Sequence, residues 1–306
     1  MKKNKINLGL ALLLSTISSG LHNSVCAGEI DTFVRESQRA NAGSGGVNAP
    51  KAVALLKLVS RFEVAGDHGR SSALNTVIAP KLDQEITTFI RESEMARAGA
   101  GGVDVEKAVA LLNLVSRFEV AGDHGRSSVL NEALALRLER EVNAFIRESE
   151  MARAGVGGIN VEKAVALLKL VRHFEVAGSN ALSTRLNAAI QSKLTLEVND
   201  FINESRMARG HVGGFDPIRA DGLLKLVLKF EVAGNNELST RLITSIKLNL
   251  AREINEFVTE SRMANAGSGG VNAQKAIALL DLTNHFEVAG SHELSDALKA
   301  AIAPRL

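Results

Sequence analysis

The chain has no tryptophan, no tyrosine, one cysteine and four prolines in 306 residues. Each absence removes a class of object. Sugar platforms and base-stacking surfaces depend on tryptophan and tyrosine rings, so carbohydrate and nucleic-acid binding lose their usual contacts. One cysteine cannot make an intrachain disulfide, so a chain entering an oxidising compartment is held by burial alone. An excess of one charge sign is missing too. Removing Lys2, Lys3 and Lys5 from the 36 basic residues leaves 33 against 34 acidic ones, so residues 28–306 are near neutral. Nothing in that balance favours nucleic acid or an anionic membrane as the main partner.

Those three lysines open a distinct segment. A basic start, an apolar stretch from Leu8 to Leu14 and the ending Val25-Cys26-Ala27 predict a secretory signal over 1–27, cleaved after Ala27. The apolar stretch is far short of the about 20 residues that span a bilayer. The expectation is an exported protein, periplasmic or extracellular, without membrane insertion. Lipid anchoring at Cys26 is the rival, but Asn23-Ser24-Val25 departs from the Leu-(Ala/Ser)-(Gly/Ala)-Cys pattern of lipoproteins.

What the chain does have is repetition. A 56-residue unit starts at Glu29, Glu85, Glu141, Glu197 and Glu253, giving units 29–84, 85–140, 141–196, 197–252 and a trimmed 253–306. Ten of the 11 phenylalanines fall at two positions of the unit, in Phe-x-x-Glu-Ser and in Phe-Glu. A fixed period of this length is the mark of a stacked-repeat architecture.

In the second unit Ile86, Phe89, Ile90 and Ser93 recur at helical spacing, and Gly99 is positioned to end that helix. After the glycine loop, Asp104 is a helix cap, as are Asn48, Asn160, Asp216 and Asn272 in the other units. The second helix, about Val105 to Ala121, is apolar around much of its circumference and is therefore an inner helix. Ser127 or Ser128 then offers a cap for a third helix, whose stripe Leu130, Leu134, Leu138, Val142 and Phe145 continues into the next unit. Pro80 breaks the corresponding stretch of unit one, because proline removes a helical hydrogen bond. The expected fold is an all-α helical-repeat solenoid with two to three helices per unit, in one array over 28–306.

The motifs that tempt a chemical reading fail on their partners. Glu92-Ser93 lacks a companion histidine, so Ser93 reads as a packing residue and Glu92 as its edge. Glu119 reads as an ion-pair or capping group. The glycine loops lack the strand, lysine and hydroxyl of a phosphate loop. His68, His124, His173, His285 and His292 lie on different units, too far apart to share a zinc. No catalytic, cofactor or metal residue is assigned, and no enzyme activity is expected. Unit four is the most divergent, with an extra loop aromatic and Gly222 in place of alanine; His211, Phe215 and Arg219 are its candidate partner contacts.

The leading expectation is a non-catalytic scaffold that binds a protein or peptide through its repeat surface. The alternative is a structural protein self-associating head to tail, since Asn41–Ala49 and Asn265–Ala273 are identical. An enzyme with an unfamiliar site is the remote third.

Overall fold

The computed structural model describes residues 28–40, 47–63, 68–95, 103–119, 124–152, 159–175, 180–207, 215–231, 236–263, 271–287 and 292–306. Among them the chain is all-helical, and no helix is long and apolar enough to cross a membrane. The signal segment, Cys26, the glycine loops with Gly99, Gly122 and His211 lie outside the described residues.

Inner helices α2 (Ala49–Phe62), α5 (Val105–Phe118), α7 (Val161–Phe174), α9 (Pro217–Phe230) and α11 (Ala273–Phe286) have the same length and the same start. Each predicted cap works. The side chains of Asn48, Asp104, Asn160 and Asn272 accept from the amides of Lys51, Lys107, Lys163 and Lys275 at 2.9–3.0 Å, and Asp216 accepts from Ile218 and Arg219. The helices end at phenylalanine, three residues before the expected Ala121, because the following glutamate turns out into extended backbone (Glu119 φ −75°, ψ 131°).

The outer helices follow the predicted continuity. α6 (Gly125–Met151), α8 (Ala181–Met207) and α10 (Glu237–Met263) each run unbroken for 27 residues. In unit one the same path is divided into α3 (Gly69–Ile78), a 3₁₀ turn over Ala79–Lys81 that holds Pro80, and α4 (Leu82–Met95). α12 (Glu293–Ile302) ends in the equivalent turn, Ala303–Arg305. α1 (Glu29–Arg39) takes up that line in space, since a Cβ on Gly28 would stand 2.8 Å from the Leu306 carbonyl carbon.

That contact reveals the arrangement. α2 packs on α5, α5 on α7, α7 on α9, α9 on α11, and α11 returns to α2. The outer helices close likewise, through α1 on α3, α4 on α6, α6 on α8, α8 on α10 and α10 on α12. Hydrogen bonds stitch the seam: Arg61 to Asp281 at 2.5 Å, Arg70 to the Ala303 carbonyl at 3.3 Å, and the Val271 amide to Glu29 at 3.5 Å. An open stack would leave its first and last inner helices half solvated. Here Leu55, Leu111, Leu167, Leu223 and Leu279, which stand at equivalent positions, are all fully buried.

The helical array thus closes into a ring, and the two end faces on which head-to-tail stacking would rely cover each other within one chain. Closure follows from side-chain volume. Alanines and valines face the axis, while Phe33, Phe89, Phe145, Phe201 and Phe257 fill the outer layer, so each unit is a wedge.

Candidate functional site

Three groups of side chains recur around the ring. The first is a buried carboxylate. Glu29, Glu85, Glu141, Glu197 and Glu253 open the units and are all buried. Lys51, Lys107, Lys163 and Lys275 meet them at 2.8–3.0 Å and also reach the exposed Glu36, Glu92, Glu148 and Glu260 of the Glu-Ser motif. Burial alone would lower these lysines, but the paired carboxylates outweigh it and raise all four above the ordinary range. The second carboxylate oxygen of Glu85, Glu141 and Glu197 accepts from the amides of Val47, Val103 and Ile159 at 3.3–3.4 Å, tying each unit to the one before. The serine beside the exposed glutamate is a packing residue: Ser93, Ser149 and Ser205 are buried and donate to the carbonyl four residues back.

The second group is the Phe-Glu carboxylate. The Glu63, Glu119, Glu175 and Glu231 side chains accept from the amides of Ser71, Ser127, Ser183 and Ser239 at 2.7–2.8 Å, and Glu287 accepts from Leu294 and Ser295. Each caps the following helix from eight residues upstream, in place of the serine side chain expected to do so. Burial would raise Glu119, but the hydrogen bonds from Ser127 and the nearby His124 prevail and hold it below the usual carboxylate range. Glu119→Ala is expected to lower stability, read as a lower midpoint in urea denaturation. Since the folded pKa is depressed, that contribution is complete above about 4.3 and fades as pH falls through the folded value. A deficit that persists unchanged into acid would contradict the capping role.

The histidines are peripheral. His68, His124 and His292 are exposed beside the capping glutamates at 3.7–4.0 Å, His173 meets Asn131, and His285 lies edge-on to Phe286. Among the described residues no cluster of three or more metal-ligating side chains forms.

Of the three partner contacts named in unit four, Phe215 is half-buried and edge-on to Phe201 at 5.9 Å. Arg219 occupies the repeated lysine position, pairing with Glu197 at 2.7 Å and with Glu204 while lying over the Phe201 ring. Both make contacts within the ring.

The third group faces the axis. Helices with axes spaced about 9–10 Å apart in a closed five-membered ring stand about 8 Å from its centre. A cavity of about 270 Å³ lies there, lined from all five inner helices. Its layers are read by position: Pro50, Glu106, Glu162, Ile218 and Gln274; then Val53, Val109, Val165, Asp221 and Ile277; then Lys57, Asn113, Lys169, Lys225 and Asp281. Gly222, singled out for its missing methyl, lines this cavity, and Val161 fills the space a Cβ would take, at 2.6 Å. Burial pushes Glu106 and Glu162 above the ordinary carboxylate range.

Comparison of the chain with family models, with curated proteins and with solved structures found no match.

One feature escaped the sequence reading. Met95, Met151, Met207 and Met263 are the last residues of α4, α6, α8 and α10, and are 68%, 73%, 71% and 69% exposed. Met95 follows Ser93 by two residues, about 200° around the helix from the buried stripe. That geometry places it in solvent.

Proposed function

We propose that the chain is an exported, non-catalytic helical-repeat protein of five 56-residue units that binds a protein or peptide on one rim of its ring. The four exposed methionines carry the reading. They recur at the same point of four successive units, where Arg39 stands in the first. Methionine's unbranched, polarisable side chain adapts to partner side chains of varied shape. Repeated apolar ends at one level of a ring form a surface suited to a protein segment, and the flanking pairs of Lys107 with Glu92 and Lys163 with Glu148 supply a polar border.

The test uses immobilised residues 28–306 with proteins from the native envelope or medium. Replacing Met95, Met151, Met207 and Met263 together with serine is expected to weaken a specific partner at least tenfold. The control Leu136→Ser with Leu248→Ser, at equally exposed sites elsewhere on the outer helices, leaves it bound. Identical capture by all three proteins would defeat the proposal.

A further inference from the structure

The basic layer of the axial cavity is uneven in charge. In ring order it runs Lys57 on α2, Asn113 on α5, Lys169 on α7, Lys225 on α9 and Asp281 on α11. Lys225 pairs with Asp221 at 2.5 Å and approaches Asp281 at 3.6 Å, while Asp281 is also held by Arg61 at 2.5 Å. That half of the layer is internally compensated. Lys57 and Lys169 are not: among the described residues, neither has a carboxylate within ion-pairing distance. Both residues are exposed and line the cavity. Burial lowers the Lys169 pKa, and Lys57 and Lys225 lower it further across the lumen against the opposing pull of Asp221 and Asp281.

The geometry points to an anion site at this level, where Lys57, Asn113 and Lys169 form an arc of donors for a compact oxyanion of at least two negative charges, of the phosphate class. Three neighbouring helices supply it. The two ammonium groups provide charge, and the Asn113 amide between them can donate to a third oxygen. Valines 53, 109 and 165 lie one turn below and give the anion an apolar floor that sharpens the electrostatic attraction.

The helix dipoles oppose an anion here, since all five inner helices direct their C-terminal ends toward this mouth. Each amounts to about half a charge confined to the last turn. The five ends sum to about −2.5 against two ammonium charges. Lys57 and Lys169 sit five residues, about 7 Å, before those ends, so an anion meets the ammonium groups in direct contact and the helix ends only at a distance, and the ammonium groups prevail. A cavity of about 270 Å³ admits phosphate, diphosphate or a phosphomonoester head, but not a folded polyanion.

The chain supplies its own controls, because equivalent positions already carry an amide at Asn113. Lys57→Asn and Lys169→Asn therefore place in the cavity a residue the ring accepts, and Asn113→Lys extends the cationic arc. The probe is inorganic diphosphate, followed by calorimetry and by ³¹P line broadening on residues 28–306 at fixed ionic strength, with chloride as the competitor. The expectation is a Kd of about 1 mM or tighter. Each lysine variant should weaken it about tenfold, Asn113→Lys should tighten it, and Glu106→Gln in the opposite layer should leave it unchanged. Flotation with phosphatidate-containing vesicles separates a lipid headgroup from a free phosphate as the source. Absence of binding to the wild-type protein at millimolar diphosphate, or equal binding by Lys57→Asn, Lys169→Asn and wild type, would overturn the assignment. Circular dichroism confirms that each variant is folded before either result is read.

Discussion

Lys163→Met lowers the unfolding free energy by about 3–5 kcal/mol at neutral pH, the loss expected when one partner of a buried ion pair is removed. Glu141 is buried in the seam between two units, with one oxygen 3.0 Å from Lys163 and the other accepting from the Val103 amide. Methionine preserves most of the lysine stem but removes the ammonium that pairs with the buried carboxylate. The Val103 amide is neutral and cannot replace that charge. The double variant Glu141→Gln with Lys163→Met should recover most of the loss, since glutamine still accepts from Val103 and leaves no charge behind. In the wild type the lysine's folded pKa is raised, so its contribution is complete below its unfolded value of about 10.4 and disappears as pH rises through the folded value. Urea denaturation of the three proteins measures all of this. A single-variant loss below about 1 kcal/mol would mean that the pair behaves as an exposed one.

The local level of this structure is legible in the residues. Asn48, Asp104, Asn160, Asp216 and Asn272 announce helix starts, and the side chains do cap. Pro80 announces a break in an otherwise continuous helix, and a 3₁₀ turn stands there. Other features depend on relations between units that no single unit states. The period gives the order of helices but not the wedge angle, which arises from small differences between axial alanines and peripheral phenylalanines summed five times. Closure therefore could not be read, although it decides the fate of both chain ends. The lysine shared by Glu29 and Glu36 was missed for a similar reason: Lys51 follows Glu29 by 22 residues, with a helix and a loop between them. A signal for the axial cavity was present. Between units, positions 53, 109, 165, 221 and 277 exchange valine for aspartate or isoleucine, and positions 57, 113, 169, 225 and 281 change charge, while the neighbouring core leucines at 55, 111, 167, 223 and 279 do not vary.

Excising one complete unit, residues 141–196, should convert a monomer into a self-associating protein. In an open stack, removing an internal unit costs one unit and one interface, and the shortened stack remains as soluble as its parent. A ring behaves differently because five wedges close at about 72° each and four cannot. The four remaining units either separate at the seam or compress the lumen. Compression would bring the helix axes from about 8 Å to nearly 7 Å from the centre at the same about 9–10 Å spacing, driving the axial valines and isoleucine into one another. Separation exposes two faces instead, each carrying side chains such as Leu55, Leu58, Leu279 and Leu282 that are now fully buried. At about 1.5–3 kcal/mol for each leucine fully exposed, these four alone represent about 6–12 kcal/mol beyond the loss of the unit itself. Faces of this kind on two molecules are complementary, so association restores what closure supplied. Light scattering should show the intact chain as a concentration-independent monomer and the excised one as a concentration-dependent oligomer. Urea unfolding should show one cooperative transition for the intact ring. A monomeric excised protein that keeps four-fifths of the parental m-value and a similar melting temperature would show that the seam contributes nothing.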